Sequence, residues 1–530
     1  MIIRRFIFPL FVCLFIPAIL FSQSEEILVK PFLQDATPNS IKIKWETSVG
    51  EESIVEFGKT SKLGKVATGN AQSINYTASR IHEVELTGLE KFTLYYYRVK
   101  TGKLTSDIYQ FKTPPFATDG ESFRLVAMSD MQNDHKYPDK FEELINDGVL
   151  SFLKKEYGGM LPENLALMMV PGDLVDRGTV YEQWKRDFFD PGSNLFSNVP
   201  VYPVPGNHER NSQFFFKYFS LPANGTPAYD GHWWYKDYGN IRIIGLDSNE
   251  EYHLQDQKDW LDKILKTTAQ DPNIDFVFAQ LHHPFKSEFW LDGEEDFTGE
   301  IVKKLETFSS ESGKPSIHFF GHTHAYSRGQ SRDHKHLWIN VATSGGDIDY
   351  WGEYEQRNYE EFTVSQDEYG FVMVDIDPNN GDPKMTVKRY SRGNELKLRD
   401  NELRDSLTVW RFDKSPLAPE AISPEKGKKI ANREIVLKAN SFKSDFVGAA
   451  HGASHWQVAT DQEFKNLAVD SWKQFEDWFY YENQQKNDDL TDEKIMYLAP
   501  GKTYYWRVRY RDKSLNWSDW STVMDFTTEE

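Results

Sequence analysis

The chain is almost without cysteine: there is one, Cys13, in 530 residues. Cys13 lies inside the apolar run that opens the chain, so nothing beyond that run carries a thiol. This excludes a cysteine nucleophile, disulfide stapling and thiolate-held zinc, and it leaves stability to ordinary hydrophobic cores. Long apolar runs are equally scarce. After the first, over residues 6–21, no stretch could span a bilayer. Basic charge is short too: 61 Lys and Arg stand against 81 Asp and Glu, for a formal net charge of −20. Such a surface repels nucleic acid at long range, and no basic stripe offsets it. No nucleophile elbow, nucleotide-binding pattern or organic-cofactor motif is present.

The opening run is flanked by Arg4 and Arg5 and followed by Ser22, Gln23 and Ser24. Pro9 and Pro17 interrupt it, so residues 1–23 read as a cleaved secretory signal rather than an anchor. Phe11 and Val12 before Cys13 do not suit a lipoprotein cleavage box. The expectation is a secreted or periplasmic protein of bacterial type, with no stable membrane insertion after cleavage. Losing the two arginines takes the charge to about −22, which serves solubility.

With 530 residues the chain exceeds one ordinary domain of about 100–200 residues. Residues 24–115 carry short alternating strands: Ile41, Ile43 and Trp45 take one face while Lys42 and Lys44 take the other. Residues 416–530 repeat part of this. Leu89 followed by YYYRV (95–99) corresponds to Leu498 followed by YYWRV (504–508), and the closing strands FKT (111–113) and FTT (526–528) also correspond. Both segments resemble fibronectin type III sandwiches. Pro416, Pro419 and Pro424 mark a linker before the second. Aromatics around 472–481 are the freest candidates for surface glycan or protein contact, against a packing role for those on strands.

Between residues 120 and 413 the pattern changes. Buried-strand runs at 123–128, 165–170, 241–246, 276–281 and 317–320 alternate with helical periodicity at 140–157, 257–268 and 300–309. This predicts an α/β domain, whose ligands gather beyond the carboxyl ends of its strands. Five polar motifs stand there: SDMQ (129–132), GDLVDRG (172–178), GNHER (206–210), LHHP (281–284) and GHTH (321–324). Each alone has a structural reading as a helix cap, a turn or a surface histidine. Together they supply the oxygen and imidazole donors that hold hard and borderline divalent ions, in a set that suits two ions about 3.5–4 Å apart.

In motif order and spacing, residues 24–412 resemble the calcineurin-like metallophosphoesterase superfamily, in a layout similar to bacterial relatives of the purple acid phosphatases. The segment PFLQDATPNSIKIKWET (31–47) resembles the N-terminal domain of those phosphatases. The resemblance implies an α/β (α+β) catalytic core of two β-sheets flanked by helices, between all-β sandwiches. It implies that Asp130, Asp173 and His324 take a first metal, and that Asp173, Asn207, His282 and His322 take a second. His283 is left to pack or hydrogen-bond nearby. His208 is the expected general acid in an in-line attack by a metal-generated hydroxide on a phosphoester. By analogy with the similar GDxVDRG string of serine/threonine phosphatases, Asp176 would orient His208 and Arg177 would bind phosphate; Arg177 in a surface salt bridge is the alternative. Arg210 is a weaker substrate candidate.

Two positions depart from the pattern. Asp176 stands where purple acid phosphatases have an iron-binding tyrosine, so manganese, zinc and iron all stay open as the two divalent ions. Gln132 stands where many relatives have a histidine ligand of the first metal; it can offer a neutral carbonyl oxygen, and His135 is a remote substitute. The polar, aromatic segment 345–362 is expected at a substrate rim. Phosphomonoester hydrolysis is the leading reading. A phosphodiesterase on the same site and a non-catalytic binding protein with a degenerate metal site remain as alternatives.

Overall fold

The computed structural model describes residues 25–74 and 77–530, so the proposed signal segment lies outside the described residues. Among the described residues no helix is long and apolar enough to cross a membrane.

The first sandwich pairs the sheet Ile27–Thr37, Ser40–Thr47, Arg80–Thr87, Asn70–Ser73 with a second built on Ile54–Gly58 and Leu94–Thr101. Its core holds the alternating Ile41, Ile43 and Trp45 against Tyr97, Val99 and Phe111, all fully buried. The sequence repeat is a structural repeat as well. Tyr95 Oη accepts the backbone N–H of Glu90 at 2.9 Å, and Tyr504 Oη accepts that of Ala499 at 3.0 Å. Each tyrosine thus ties its strand to the residue after the matching leucine, a corner typical of such sandwiches.

The central region is built on two sheets. One has six strands, in the order Val201–Pro203, Leu167–Val170, Phe123–Ala127, Tyr369–Asp377, Lys384–Asn394, Lys397–Trp410. The other runs Trp234–Tyr238, Ile241–Gly245, Phe276–Gln280, Ser316–Phe320, His336–Val341, Tyr326–Gln330, Phe362–Gln366. The apolar runs are continuous because both faces of these strands are covered. Ile241, Ile243, Phe276 and Phe278 turn into the core between the sheets. Their neighbours Ile244, Val277 and Ala279 turn the other way, beneath the helices Gln255–Gln270 and Asp296–Ser312. Five of the parallel strands, Phe123–Ala127, Leu167–Val170, Val201–Pro203, Phe276–Gln280 and Ser316–Phe320, are each followed by one of the five motifs. The result is an α/β core of two β-sheets flanked by helices, with additional all-β sandwiches.

The proline-marked linker does not leave the last sandwich separate. Its hairpin, Trp478–Phe479 with Glu482–Asn483, extends the central seven-strand order into a nine-stranded sheet through Val364 opposite Trp478. The aromatics of 472–481 are divided: Trp478, Tyr480 and Tyr481 are exposed, at 38 %, 49 % and 58 %, while others pack. Trp472 is buried, and Phe479, Tyr480 and Tyr481 surround Trp351 with ring centroids 4.9, 5.7 and 6.4 Å away. Phe479 covers the indole, while the two tyrosines touch it and keep a face to solvent.

Candidate metal centre

All five motifs converge beyond the strand ends. Asp130, Asp173 and His322 have left-handed backbones, with φ of 60°, 54° and 70°. A non-glycine residue pays about 1–2 kcal/mol for that conformation, and such strain clusters where side chains must be aimed. The motif glycines allow the approach: a Cβ on Gly206 would lie 2.1 Å from Asp173 Oδ1, and one on Gly321 2.3 Å from Asp130 Oδ2.

Asp173 is central. Its Oδ1 accepts the backbone N–H of His208 at 3.0 Å, and its Oδ2 lies 3.1 Å from His282 Nε2. Ligand atoms of Asp130, Asp173 and His282 all lie within 4.8 Å of one another. On one side, His324 Nε2 is 3.2 Å from Asp130 Oδ1 and 3.0 Å from Gln132 Nε2. On the other, Asn207 Oδ1 is 2.9 Å from His282 Nε2 and 3.0 Å from His322 Nδ1. The structure therefore brings together Asp130, Gln132, Asp173, Asn207, His282, His322 and His324. His283 is turned aside, with Nδ1 2.9 Å from Ser248 Oγ, although its ligand atom also lies close to those of His282 and His322.

The donors fit two divalent ions on observations of this site. Gln132 Oε1 is buried with no hydrogen-bond partner, as a carbonyl ligand would be left without its cation. His282 Nδ1 donates to Pro171 O at 3.0 Å and His324 Nδ1 to Asp347 O at 2.6 Å, so each presents Nε2 inward. Such outer hydrogen bonds fix the tautomer of a metal-ligating imidazole. Electrostatics point the same way. Burial opposes a charged His282, yet the Asp173 carboxylate outweighs it and pushes the imidazole up to about 9. His324 is likewise opposed by burial and raised to about 10 by Asp130. Both imidazoles thus face carboxylates that favour a positive charge between them. His322 goes the other way: burial and the neighbouring His282 hold it well below the usual histidine range.

His208 lies beside this centre, with Nε2 3.9 Å from Asp173 Oδ2. Its hold differs from the expected one. Nδ1 donates to the backbone carbonyl of Asp176 at 2.7 Å, while the Asp176 carboxylate is 3.8 Å away. That carboxylate instead meets Arg177 Nε at 3.3 Å and Gln183 Nε2 at 3.4 Å. Arg177 is 54 % exposed, so it stands in a surface ion pair at the edge of the site.

Sequence reasoning missed Glu209. It is fully buried, and its carboxylate accepts the backbone N–H groups of Gly206 at 2.7 Å, Asp173 at 2.9 Å and Leu174 at 2.9 Å. It staples the Asp173 loop to the Asn207 loop, and burial and the nearby Asp173 push its carboxyl well above the usual range. An acidic residue directly after His208 in a turn was the available signal. Asp349 was missed as well; its Oδ2 accepts the backbone N–H of His324 at 2.7 Å.

Residues 123–326 match the family described as calcineurin-like phosphoesterase, and residues 29–113 match the purple acid phosphatase N-terminal domain. The chain thus carries a calcineurin-like phosphoesterase domain behind a purple acid phosphatase N-terminal domain. It is 25 % identical over 272 residues to purple acid phosphatase 15 of Arabidopsis thaliana, covering 48 % of this chain and 50 % of that one. It is 23 % identical over 308 residues to Fe(3+)-Zn(2+) purple acid phosphatase 12 of the same plant, covering 55 % and 62 %. The chain thus spans about half to two thirds of the length of these curated relatives. Among solved structures, purple acid phosphatase PPD1 from yellow lupin (Lupinus luteus) seeds shares the fold with a TM-score of 0.54 at 16 % identity, over 72 % of this chain and 73 % of that one. PhoD does so with a TM-score of 0.54 at 14 % identity, over 73 % and 90 %. The metallophosphoesterase-like chain carries candidate ligands for the dinuclear metal site of purple acid phosphatases.

Proposed function

We propose that this chain is an exported, metal-dependent phosphomonoesterase. The observation that carries the reading is Asp173, whose two carboxylate oxygens face different partners within a cluster of nitrogen and oxygen donors. Asp130, Gln132, Asp173 and His324 would hold one ion, and Asp173, Asn207, His282 and His322 the other. When bound, two such ions supply Lewis-acid stabilisation of phosphoryl oxygens and a nucleophile at neutral pH. His208 supplies the proton. With Nδ1–H committed to Asp176 O, its Nε2 is the atom that meets the leaving oxygen of the ester. Arg177 meets Asp176 through Nε, which leaves its terminal N–H groups for phosphoryl oxygens. The monoester preference follows the phosphatases that the chain resembles, and export follows the leader-like opening of the sequence.

The test is hydrolysis of p-nitrophenyl phosphate and of bis(p-nitrophenyl) phosphate by the metal-reconstituted chain, together with elemental analysis. Two ions per chain and faster monoester turnover are expected. His208→Ala should lower kcat by about 10²–10⁴-fold while the metal content stays at two. A fully active His208→Ala protein would remove the proposed acid. Faster diester turnover would move the reading to a phosphodiesterase.

A further inference from the structure

Past Asn207 and His283 the metal centre opens into a cleft of about 400 Å³. His232 lines it and has no part in holding metal or phosphoryl group. Only 8 % exposed, it lies with Nδ1 2.7 Å from Asp247 Oδ2. Its ring stacks on Tyr252 with centroids 3.9 Å apart and rests against Phe216 at 4.6 Å. Asp247 is fully buried, and its Oδ1 accepts both the backbone N–H of Asn249 at 2.9 Å and its side-chain N–H at 2.8 Å. Both oxygens of the carboxylate are therefore committed. Nδ1 keeps its proton towards Asp247, and Nε2 makes no hydrogen bond among the described residues. A buried imidazole fixed in place with one unused nitrogen on a cleft is a built recognition element.

We propose that this cleft is the leaving-group subsite, and that it takes the neutral, hydroxyl-bearing alcohol portion of a phosphomonoester, such as a sugar or polyol. The inference rests on the phosphomonoesterase reading and adds the substrate class. The cleft begins at Asn207, so an ester whose phosphoryl group sits on the metal centre extends its alcohol portion into it. A hydroxyl both donates and accepts, and so meets His232 Nε2 in either protonation state. The stacked His232 and Tyr252 rings provide a flat wall for the carbon skeleton. The charge around the cleft sets the remaining choice. Glu250, Glu251 and Glu295 line it against one guanidinium, Arg210, so a second phosphate or a carboxylate on the alcohol portion is repelled.

The experiment measures kcat/KM of the metal-reconstituted full chain on glucose 6-phosphate, fructose 1,6-bisphosphate and p-nitrophenyl phosphate. The wild type should favour the hexose monophosphate over the bisphosphate by about tenfold or more. His232→Phe should lower the ratio of glucose 6-phosphate to p-nitrophenyl phosphate by about tenfold, through the lost hydrogen bond. The double variant Glu250→Gln, Glu251→Gln changes two exposed side chains, so folding is not at stake, and it should narrow the discrimination against the bisphosphate. Equal handling of mono- and bisphosphate by the wild type, or unchanged ratios in both variants, would overturn the inference alone. Absence of turnover on all three esters would sink the phosphomonoesterase reading and this inference with it.

Discussion

His82 lies wholly buried in the first sandwich, with Nε2 2.8 Å from Thr47 Oγ1, Nδ1 2.8 Å from Ser53 Oγ and Trp45 stacked on its ring at 4.8 Å. Burial lowers its pKa to about 4; Glu51 opposes the shift and Arg80 adds to it. The unfolded chain takes up this proton near pH 6.5, and the folded chain only near pH 4. Between those values the unfolded state binds more protons, so stability falls as pH falls through the window, by on the order of 3 kcal/mol if the whole shift is realised. Denaturant melts from pH 7 to pH 4 should show this slope in the wild type and a shallower one in His82→Gln; parallel slopes would remove His82 as the cause. Residue identity alone does not reveal such a role, because His82 reads as an ordinary strand residue until its neighbours enclose it. The metal-centre candidates were legible, since each motif sets its donors just past the end of an apolar run. Glu209 was not, because its partners are backbone N–H groups of two loops that only folding brings together.

At the scale of elements, the irregular segment after His336–Val341 does more than border the site. The Gly346 N–H donates to Asp130 O at 2.9 Å, and Asp347 and Asp349 hold the ring and backbone of His324. Trp351 anchors the segment, its ring 4.0 Å from that of Phe289. Next to Phe289, Trp290 stands over His322 with centroids 5.1 Å apart and meets Tyr354 of the same segment at 5.6 Å. Trp351→Ala should loosen this outer support and weaken retention of the more labile ion by about 10–100-fold, the usual effect of losing the contacts that orient a metal ligand. Competition with a chelator reads this directly, and an unchanged affinity would restrict the segment to the rim. The sequence marked the segment as aromatic and irregular, and its hold on His324 was not visible. That hold uses a backbone carbonyl and one of several equivalent acidic side chains, with no periodicity to distinguish them.

Across the whole molecule the sandwiches are docked onto the central region. Gln34 Nε2 donates to Val201 O at 2.8 Å, and Ala36 N–H to Tyr202 Oη at 2.9 Å, at the first interface. At the second, Arg511 is buried with Nη1 donating to Ser331 O at 2.8 Å and Nη2 to His334 O at 2.7 Å. Trp517 Nε1 donates to Arg332 O at 2.6 Å beside it. Burial pulls the Arg511 guanidinium down to about 9, with Asp512 and Asp333 opposing, so the two carbonyls and these carboxylates keep it charged near neutral pH. Arg511→Met would leave both carbonyls unpaired at a cost of about 1–3 kcal/mol each. Calorimetry should then show the last sandwich melting ahead of the rest, where the wild type melts with closer coupling. Unchanged traces would mean that the hairpin at Trp478–Phe479 holds the interface without Arg511.

The amino-acid sequence by itself marked the apolar runs that become core strands, the two sandwich segments and the seven candidate donors of the metal centre. Those features rest on local periodicity and on motifs whose residues are neighbours in the chain. The tertiary structure alone decided what surrounds those donors: the carboxylate of Glu209, the carbonyl of Asp176 turned to His208, the His232–Asp247 pair and the hairpin that completes the large sheet. These depend on long-range packing, where a buried polar group takes whichever partner the fold brings within hydrogen-bond reach, because leaving it unpaired costs more than the choice of partner.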